Sequence, residues 1–237
     1  MSVTWPTMPA NELGQPVGFD LGDWTPPPFP PGDVLAGRTV QMEPLDPSSH
    51  GPALWDALKS APHSLWTYMA FGPFRGYAAF EAALESISDP DDWLPYTAVV
   101  NGVPLGFASF LRIEPKVGCI EIGSITWSPD MQRTTPSTEA LYLMMAHVFE
   151  LGYRRCEWKC DALNAPSRAA ALRLGYTYEG TFRQATHYKG RNRDTAWYSI
   201  IDREWPLLAM SFQRWLSVDN FDGDGAQIRT LERMRGR

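Results

Sequence analysis

Three stretches of this sequence hold residue types that could do chemistry together. The first is Glu121, within Cys119-Ile120-Glu121-Ile122-Gly123-Ser124-Ile125-Thr126-Trp127. A carboxylate set among isoleucines loses hydration, which disfavours its charged form and raises its pKa towards the range of a general base. The alternative is a buried structural glutamate bonded to backbone or to an arginine. The second stretch is Gln132-Arg133-Thr134-Thr135-Pro136-Ser137-Thr138-Glu139-Ala140, placed where a strand gives way to a helix. A helix N-terminus has free N–H groups and the positive end of a dipole, so it can hold a diphosphate. The candidate donors are the N–H groups of Arg133, Thr134, Thr135, Ser137 and Thr138, since Pro136 has none. The charge of Arg133 and the hydroxyls of Thr135 and Ser137 could add hydrogen bonds to phosphate oxygens. Against this stands a plain helix cap at Ser137 or Thr138. No Gly-Lys-Ser/Thr follows, so a Walker-type phosphate loop is excluded. The third stretch, Asn164-Ala165-Pro166-Ser167-Arg168, can cap a short Ala-rich helix through Asn164. Arg168 and Arg173 could meet phosphate or form a solvated helix face.

Metal and redox chemistry have little support. Cys156 and Cys160 alternate with other residues in Arg155-Cys156-Glu157-Trp158-Lys159-Cys160. On a strand both face one side as small core residues. The chain holds three cysteines and four histidines, with no Cys/His cluster to complete a zinc site. The net charge of −6 argues against a duplex-binding surface, which needs clustered Lys and Arg. No run of about 18 apolar residues reads as a membrane span. The first residues lack the pattern of a secretory signal, so the expected location is cytoplasmic.

The elements that must position these residues follow from periodicity and turn chemistry. Residues 1–36 hold eight of the 21 prolines and are expected to form an extended arm. A strand is expected over 38–45, then helices from Ser48 or Ser49 to Leu58 and over 76–87. Asn101-Gly102 between two apolar runs signals a tight hairpin. A strand at 119–127 leads to a helix over 138–150, closed by Gly152. A strand at 155–160 leads to the helix capped by Asn164. Two long strands then pair around residues 189–192, and a helix runs over 204–216. Residues 37–216 read as one domain, and the Gly/Asp-rich residues 217–237 as a flexible tail. Alternating strands and helices with hairpins at both ends predict an α+β fold: a mixed, mostly antiparallel central sheet with helices on both faces.

The second and third stretches carry a family resemblance. Gln132 to Ala140 resembles the Gln/Arg-x-x-Gly-x-Gly/Ala-Thr-Glu-Ala signature of GNAT acetyltransferases. Asn164-Ala165-Pro166-Ser167-Arg168 with Leu172-Arg173-Leu174-Gly175-Tyr176-Thr177-Tyr178-Glu179-Gly180 resembles the Asn-x-x-Ser and Leu-Gly-Phe-x-x-Glu-Gly block of the same superfamily. Arg183, Asp194 and Glu204-Trp205 draw the likeness towards its Rim-type branch, the ribosomal-protein N-terminal acetyltransferases. The resemblance implies an N-acetyltransferase that uses acetyl-CoA as cosubstrate and a primary amine, a protein N-terminus or a small molecule, as acceptor. It implies that the Gln132–Thr138 turn binds the diphosphate, that Asn164 approaches the pantetheine arm, and that Ser167 lies near the cofactor. It also implies a strand glutamate at Glu121, and a backbone N–H near Ile125 or Trp127 that holds the developing oxyanion. Thr135 and Ser137 stand where the family has glycine, which limits how closely a phosphate can approach the backbone. The family's helix tyrosine is missing from Ala169-Ala170-Ala171-Leu172; Tyr176 comes just after it, where core packing is the safer reading, and Ser124 is another weak candidate proton donor. The alternative to an enzyme is a degenerate GNAT domain that binds CoA or a protein partner without catalysis. A homodimer is expected from the exposed sheet edges.

The acceptor sets how much the base must do. An α-amine with a pKa near 8 costs roughly 1.4 kcal/mol to deprotonate at pH 7, and a lysine-like amine near 10.4 roughly 4–5 kcal/mol.

Overall fold

The computed structural model describes residues 8–88 and 92–236. The elements are β1 (Leu35–Ala36), β2 (Gln41–Pro44), α1 (Pro47–Leu58), α2 (Tyr77–Ser88), β3 (Leu94–Val100), β4 (Val103–Glu114), β5 (Cys119–Trp127), α3 (Thr135–Glu150), β6 (Arg155–Asp161), α4 (Ala165–Leu174), β7 (Thr177–Tyr188), β8 (Arg191–Ile201), α5 (Trp205–Leu216) and α6 (Leu231–Met234). Eight strands form one sheet in the order β1-β2-β3-β4-β5-β6-β8-β7. Every neighbouring pair is antiparallel except β5 with β6. This is the α+β architecture expected from the alternation of elements.

Turn chemistry fixes the two hairpins. Asn101 and Gly102 both take positive φ, 50° and 78°, as a type I′ turn requires, and Val100 pairs with Val103. Lys189 and Gly190, at 49° and 71°, do the same between Tyr188 and Arg191. Period-two alternation then decides which side chains go where. Tyr96, Ala98, Ala108, Phe110, Ile120, Ile122, Cys156, Trp158, Cys160, Ala196, Tyr198 and Ile200 are buried in one cluster with residues of α3, α4 and α5. On the opposite face Phe107 joins Leu54, Leu58, Phe80 and Leu84 from α1 and α2.

The proline-rich residues before β1 cross the end of the sheet where β5 and β6 begin. The Trp24 indole N–H donates to Gly152 O at 3.1 Å, and the Arg154 guanidinium lies 5.3 Å from the Trp24 ring centroid. Gly118 takes a left-handed φ of 68°, and a Cβ there would meet the Trp24 ring at 2.7 Å. Tyr153 donates its hydroxyl to Pro28 O at 3.0 Å.

Residues 217–236, expected as a flexible tail, are instead folded onto α5 and α4. Leu231 is fully buried. Asn220 donates to Trp215 O and Arg229 O and accepts from the Arg229 N–H. One buried amide satisfying three backbone groups gives order to a segment whose Gly/Asp composition suggests none.

Candidate active site

The site grows out of the one parallel pair. Cys119, Ile120 and Glu121 pair with Arg155, Cys156 and Glu157, and the ladder stops there. Beyond it β5 continues to Trp127 against β4, and β6 to Asp161 against β8. The two strands therefore form a fork, closed at Glu121/Glu157 and open towards their C-terminal ends. Because they are parallel, the helices that follow them, α3 and α4, both start at that open end. Backbone groups on facing strand edges and two helix N-termini make a slot suited to a polar, anionic-ended ligand.

On β5, Ser124 has a φ of 50°, at the place where the register with β4 shifts between Ser109/Gly123 and Phe107/Thr126. This bulge re-aims the strand's last residues, as bulges beside functional sites do. Ile125 and Trp127 follow, half-buried against the core. The side chain of Gln132 turns back to donate to Trp127 O at 2.9 Å, which pins the turn to the strand.

The start of α3 differs from expectation. Thr134, not Ser137 or Thr138, is the N-cap: its Oγ1 accepts the Ser137 N–H at 3.3 Å. The helix begins at Thr135 because Pro136, with no N–H to lose, suits the first turn. The Ser137 and Thr138 side chains are buried. Ser137 donates its hydroxyl to Thr134 O at 2.8 Å, and Thr138 Oγ1 accepts from Arg173 Nη1 of α4 at 3.1 Å. The Ser137 hydroxyl is therefore already donated within the turn, whereas the sequence expectation has it bonding a phosphate oxygen. The Thr135 N–H has no partner within the helix, and Arg133, at φ 61°, stands exposed in the preceding turn.

At the other helix Asn164 is the N-cap, accepting the Ser167 N–H at 3.2 Å, and Ser167 Oγ accepts from the Trp158 indole at 3.0 Å. Arg168 donates to Tyr198 Oη and Ala162 O, both at 3.2 Å. Tyr176 lies buried in the core with its hydroxyl 3.3 Å from Cys156 Sγ.

Glu121 sits at the closed end of the fork, on the sheet face away from α3, with 6% of its surface exposed. Burial pushes its carboxyl up, opposed by the Lys159 ammonium. Lys159 Nζ lies 2.7 Å from Glu121 Oε2, 3.3 Å from Glu157 Oε2 and 4.0 Å from the Trp197 ring centroid. Glu157 also accepts from Arg155 Nε at 2.9 Å, and Arg155 grips Glu179 through two bonds of 2.7 and 2.6 Å. The half-exposed Arg112 comes within 3.9 Å of Glu121. Sequence reasoning missed Glu157 and Lys159, although the spacing held the signal. If Cys156 and Cys160 face the core, then Arg155, Glu157 and Lys159 must share the other face with Glu121.

Three ties close the rim above this face. Tyr188 donates to Asp161 Oδ2 at 2.8 Å, Lys189 donates to Trp66 O at 2.6 Å, and Tyr68 donates to Leu163 O at 3.1 Å. Among the described residues there is no group of three His, Cys, Asp or Glu placed to hold a metal ion, and no helix long and apolar enough to cross a membrane.

Residues 55–176 match the model of the Acetyltransferase (GNAT) family. No curated protein matches the chain. Among solved structures it is similar to a GCN5-related N-acetyltransferase from Brucella melitensis, with 43% identity over 92% of this chain and 100% of that one, at a TM-score of 0.88. A second, described as a probable GNAT-family acetyltransferase from Chromobacterium violaceum, shares 39% identity over 81% and 97% of the two chains, with a TM-score of 0.78. A third, from Salmonella typhimurium, modifies the N-terminal serine of ribosomal protein L7/L12. At 23% identity, with 71% and 99% covered and a TM-score of 0.63, its likeness is one of fold.

Proposed function

The chain belongs to the GNAT family of acetyltransferases, and from that premise we propose that it moves an acetyl group from acetyl-CoA directly to a primary amine. The acceptor is a protein N-terminus or a small-molecule amine. The observation that carries this reading is the fork, which has the N-terminus of α3 at its open end and a buried carboxylate at its closed end.

The residues present fit such a cosubstrate. The Thr135 N–H and the Arg133 side chain offer charge and hydrogen bonds to a diphosphate at the α3 N-terminus. The edge of β5 from Ile122 to Trp127 lies along the slot that the pantetheine arm would occupy, with Asn164 and Ser167 at the start of α4 on its far side. The bound thioester would supply an activated acyl group with a thiolate leaving group. Around it the chain's own groups have three tasks. Backbone N–H groups near Ile125 or Trp127, re-aimed by the Ser124 bulge, stabilise charge that develops on the carbonyl oxygen. Glu121 draws a proton from the acceptor ammonium, directly or through water. Ser124, on the same strand, is the candidate hydroxyl for returning a proton to the leaving thiolate.

Thermal unfolding with and without excess acetyl-CoA tests the reading. At about 100 times Kd, binding adds roughly 2.7 kcal/mol, or about 5–10 °C for a chain of this size. Thr135→Pro removes the key N–H at a position where proline suits a helix. It should abolish the shift while leaving the unliganded Tm close to that of the parent. No shift in the parent protein would defeat the proposal. A shift without thiol release against a panel of peptides and amines would favour a CoA-binding domain that has lost catalysis.

A further inference from the structure

Buried charges need a reason. A lysine with its side chain 8% exposed has left water at a cost of several kcal/mol, and attraction to its partners only roughly offsets that cost. On the other face of β6 the same strand buries Cys156, Trp158 and Cys160, so apolar residues were available to the fold at this depth. Lys159 is instead held from three directions: by Glu121 across the fork, by Glu157 on its own strand, and by the face of Trp197 on β8. The Trp197 ring itself packs against Phe182, with ring centroids 4.8 Å apart. An ammonium on an indole face between two carboxylates has little freedom to move.

We propose that Lys159 is a positioning residue for acyl transfer, whose ammonium holds the Glu121 carboxylate at the closed end of the fork in its ionised form. This rests on the reading of Glu121 as the base. Glu121 lies in the last pair of the β5–β6 ladder, so its carboxylate borders the slot, and a rotation about its χ angles would carry it away from the acceptor. The 2.7 Å contact removes that freedom from one side, and Arg112 of β4 flanks it at 3.9 Å. The charged groups near Glu121 on this face are Lys159 and Glu157 of β6, with Arg155 bonded to Glu157, and Arg112 of β4. Cys156 and Tyr176 act on it weakly from the other face of the sheet. Glu157 is the counterweight, because its negative charge opposes the ionisation that Lys159 favours.

That opposition gives a test by sign. Glutamate labelled with carbon-13 at its carboxyl lets Glu121 be titrated by NMR, its signal assigned by its loss in Glu121→Gln. Lys159→Met should move the Glu121 midpoint up by about one to three pH units, and Glu157→Gln should move it down. Lys159→Arg should largely restore the parent value. The acid limb of kcat/KM, read as thiol release from acetyl-CoA with a peptide bearing a free N-terminal amine, should move with each midpoint. Circular dichroism and Tm establish that each variant is folded. Should Lys159→Met misfold, Lys159→Gln and Glu157→Gln make the same comparison. Midpoints that stay put, or that move in the same direction in both variants, overturn the proposal. So does an acid limb that ignores a moved midpoint. Absence of an acetyl-CoA thermal shift would strike the acyltransferase reading and leave the carboxyl titration unaffected, so the two failures are distinguishable.

Discussion

The two faces of β6 differ in almost everything except their backbone. Cys156, Trp158 and Cys160 point into the core with α3, α4 and α5, where apolar burial dominates and the Trp158 indole and the Cys156 thiol also meet polar partners, Ser167 and Tyr176. Arg155, Glu157, Lys159 and Asp161 point the other way, all but Arg155 nearly as deep, and hold their places through ion pairs and hydrogen bonds to named partners. An apolar contact adds stability wherever it is made, whereas a buried charge network contributes little net stability and is kept for its geometry. One strand can therefore be read as two layers: the first keeps the sheet folded and the second arranges charge at the closed end of the fork.

The sharpest test of that division is Trp158→Ala, which opens a cavity in the core layer. It should cost about 3–5 kcal/mol, or about 6–20 °C in Tm, measured by calorimetry. The charged layer should respond in the opposite way. Replacing Glu121 and Lys159 together by Leu and Met removes both charges of the pair while Glu157 keeps Arg155 as its partner, and should leave Tm unchanged or raise stability by about 1–4 kcal/mol. Turnover should be lost in that double variant. A large destabilisation would break the comparison, because the network would then be holding the fold. The smallest change, Glu121→Gln, should lower turnover at least about tenfold, equivalent to about 1.4 kcal/mol, with little effect on acetyl-CoA affinity. Lys159 keeps Glu157 as a partner in that variant, so the fall in Tm should be smaller than for Trp158→Ala.

The core layer was legible from the sequence and the charged layer only in part. Alternation placed the two cysteines, Asn101-Gly102 placed a hairpin, and β5 was bounded by its own apolar run. Glu121 stood out because a charge among isoleucines is visible locally. Its partners did not, because Lys159 meets Glu121 only after two strands distant in the chain come together in register. The start of α3 was misplaced for a local reason: Thr134, Thr135, Ser137 and Thr138 can all cap, and Pro136 decides among them by tolerating only the first turn. The segment after Leu216 was misjudged because composition does not report a single well-placed amide. Asn220 and Leu231 order it with three hydrogen bonds and one buried side chain.

The attachment of Trp24 has a mechanical consequence. A fork pinned at one end is a lever, and here the pin is only three residue pairs long. Trp24 rests on Gly118 just before one tine and beside Arg154 just before the other, so the proline-rich leader clamps the fulcrum. Loosening that clamp would be felt most at the far tips, where a small rotation at the base becomes a wider gape between Trp127 and Asp161. In the proposed acyltransferase, a residue outside the candidate site would in this way influence the width of the slot, and removing the residues before β1 would remove that influence with them.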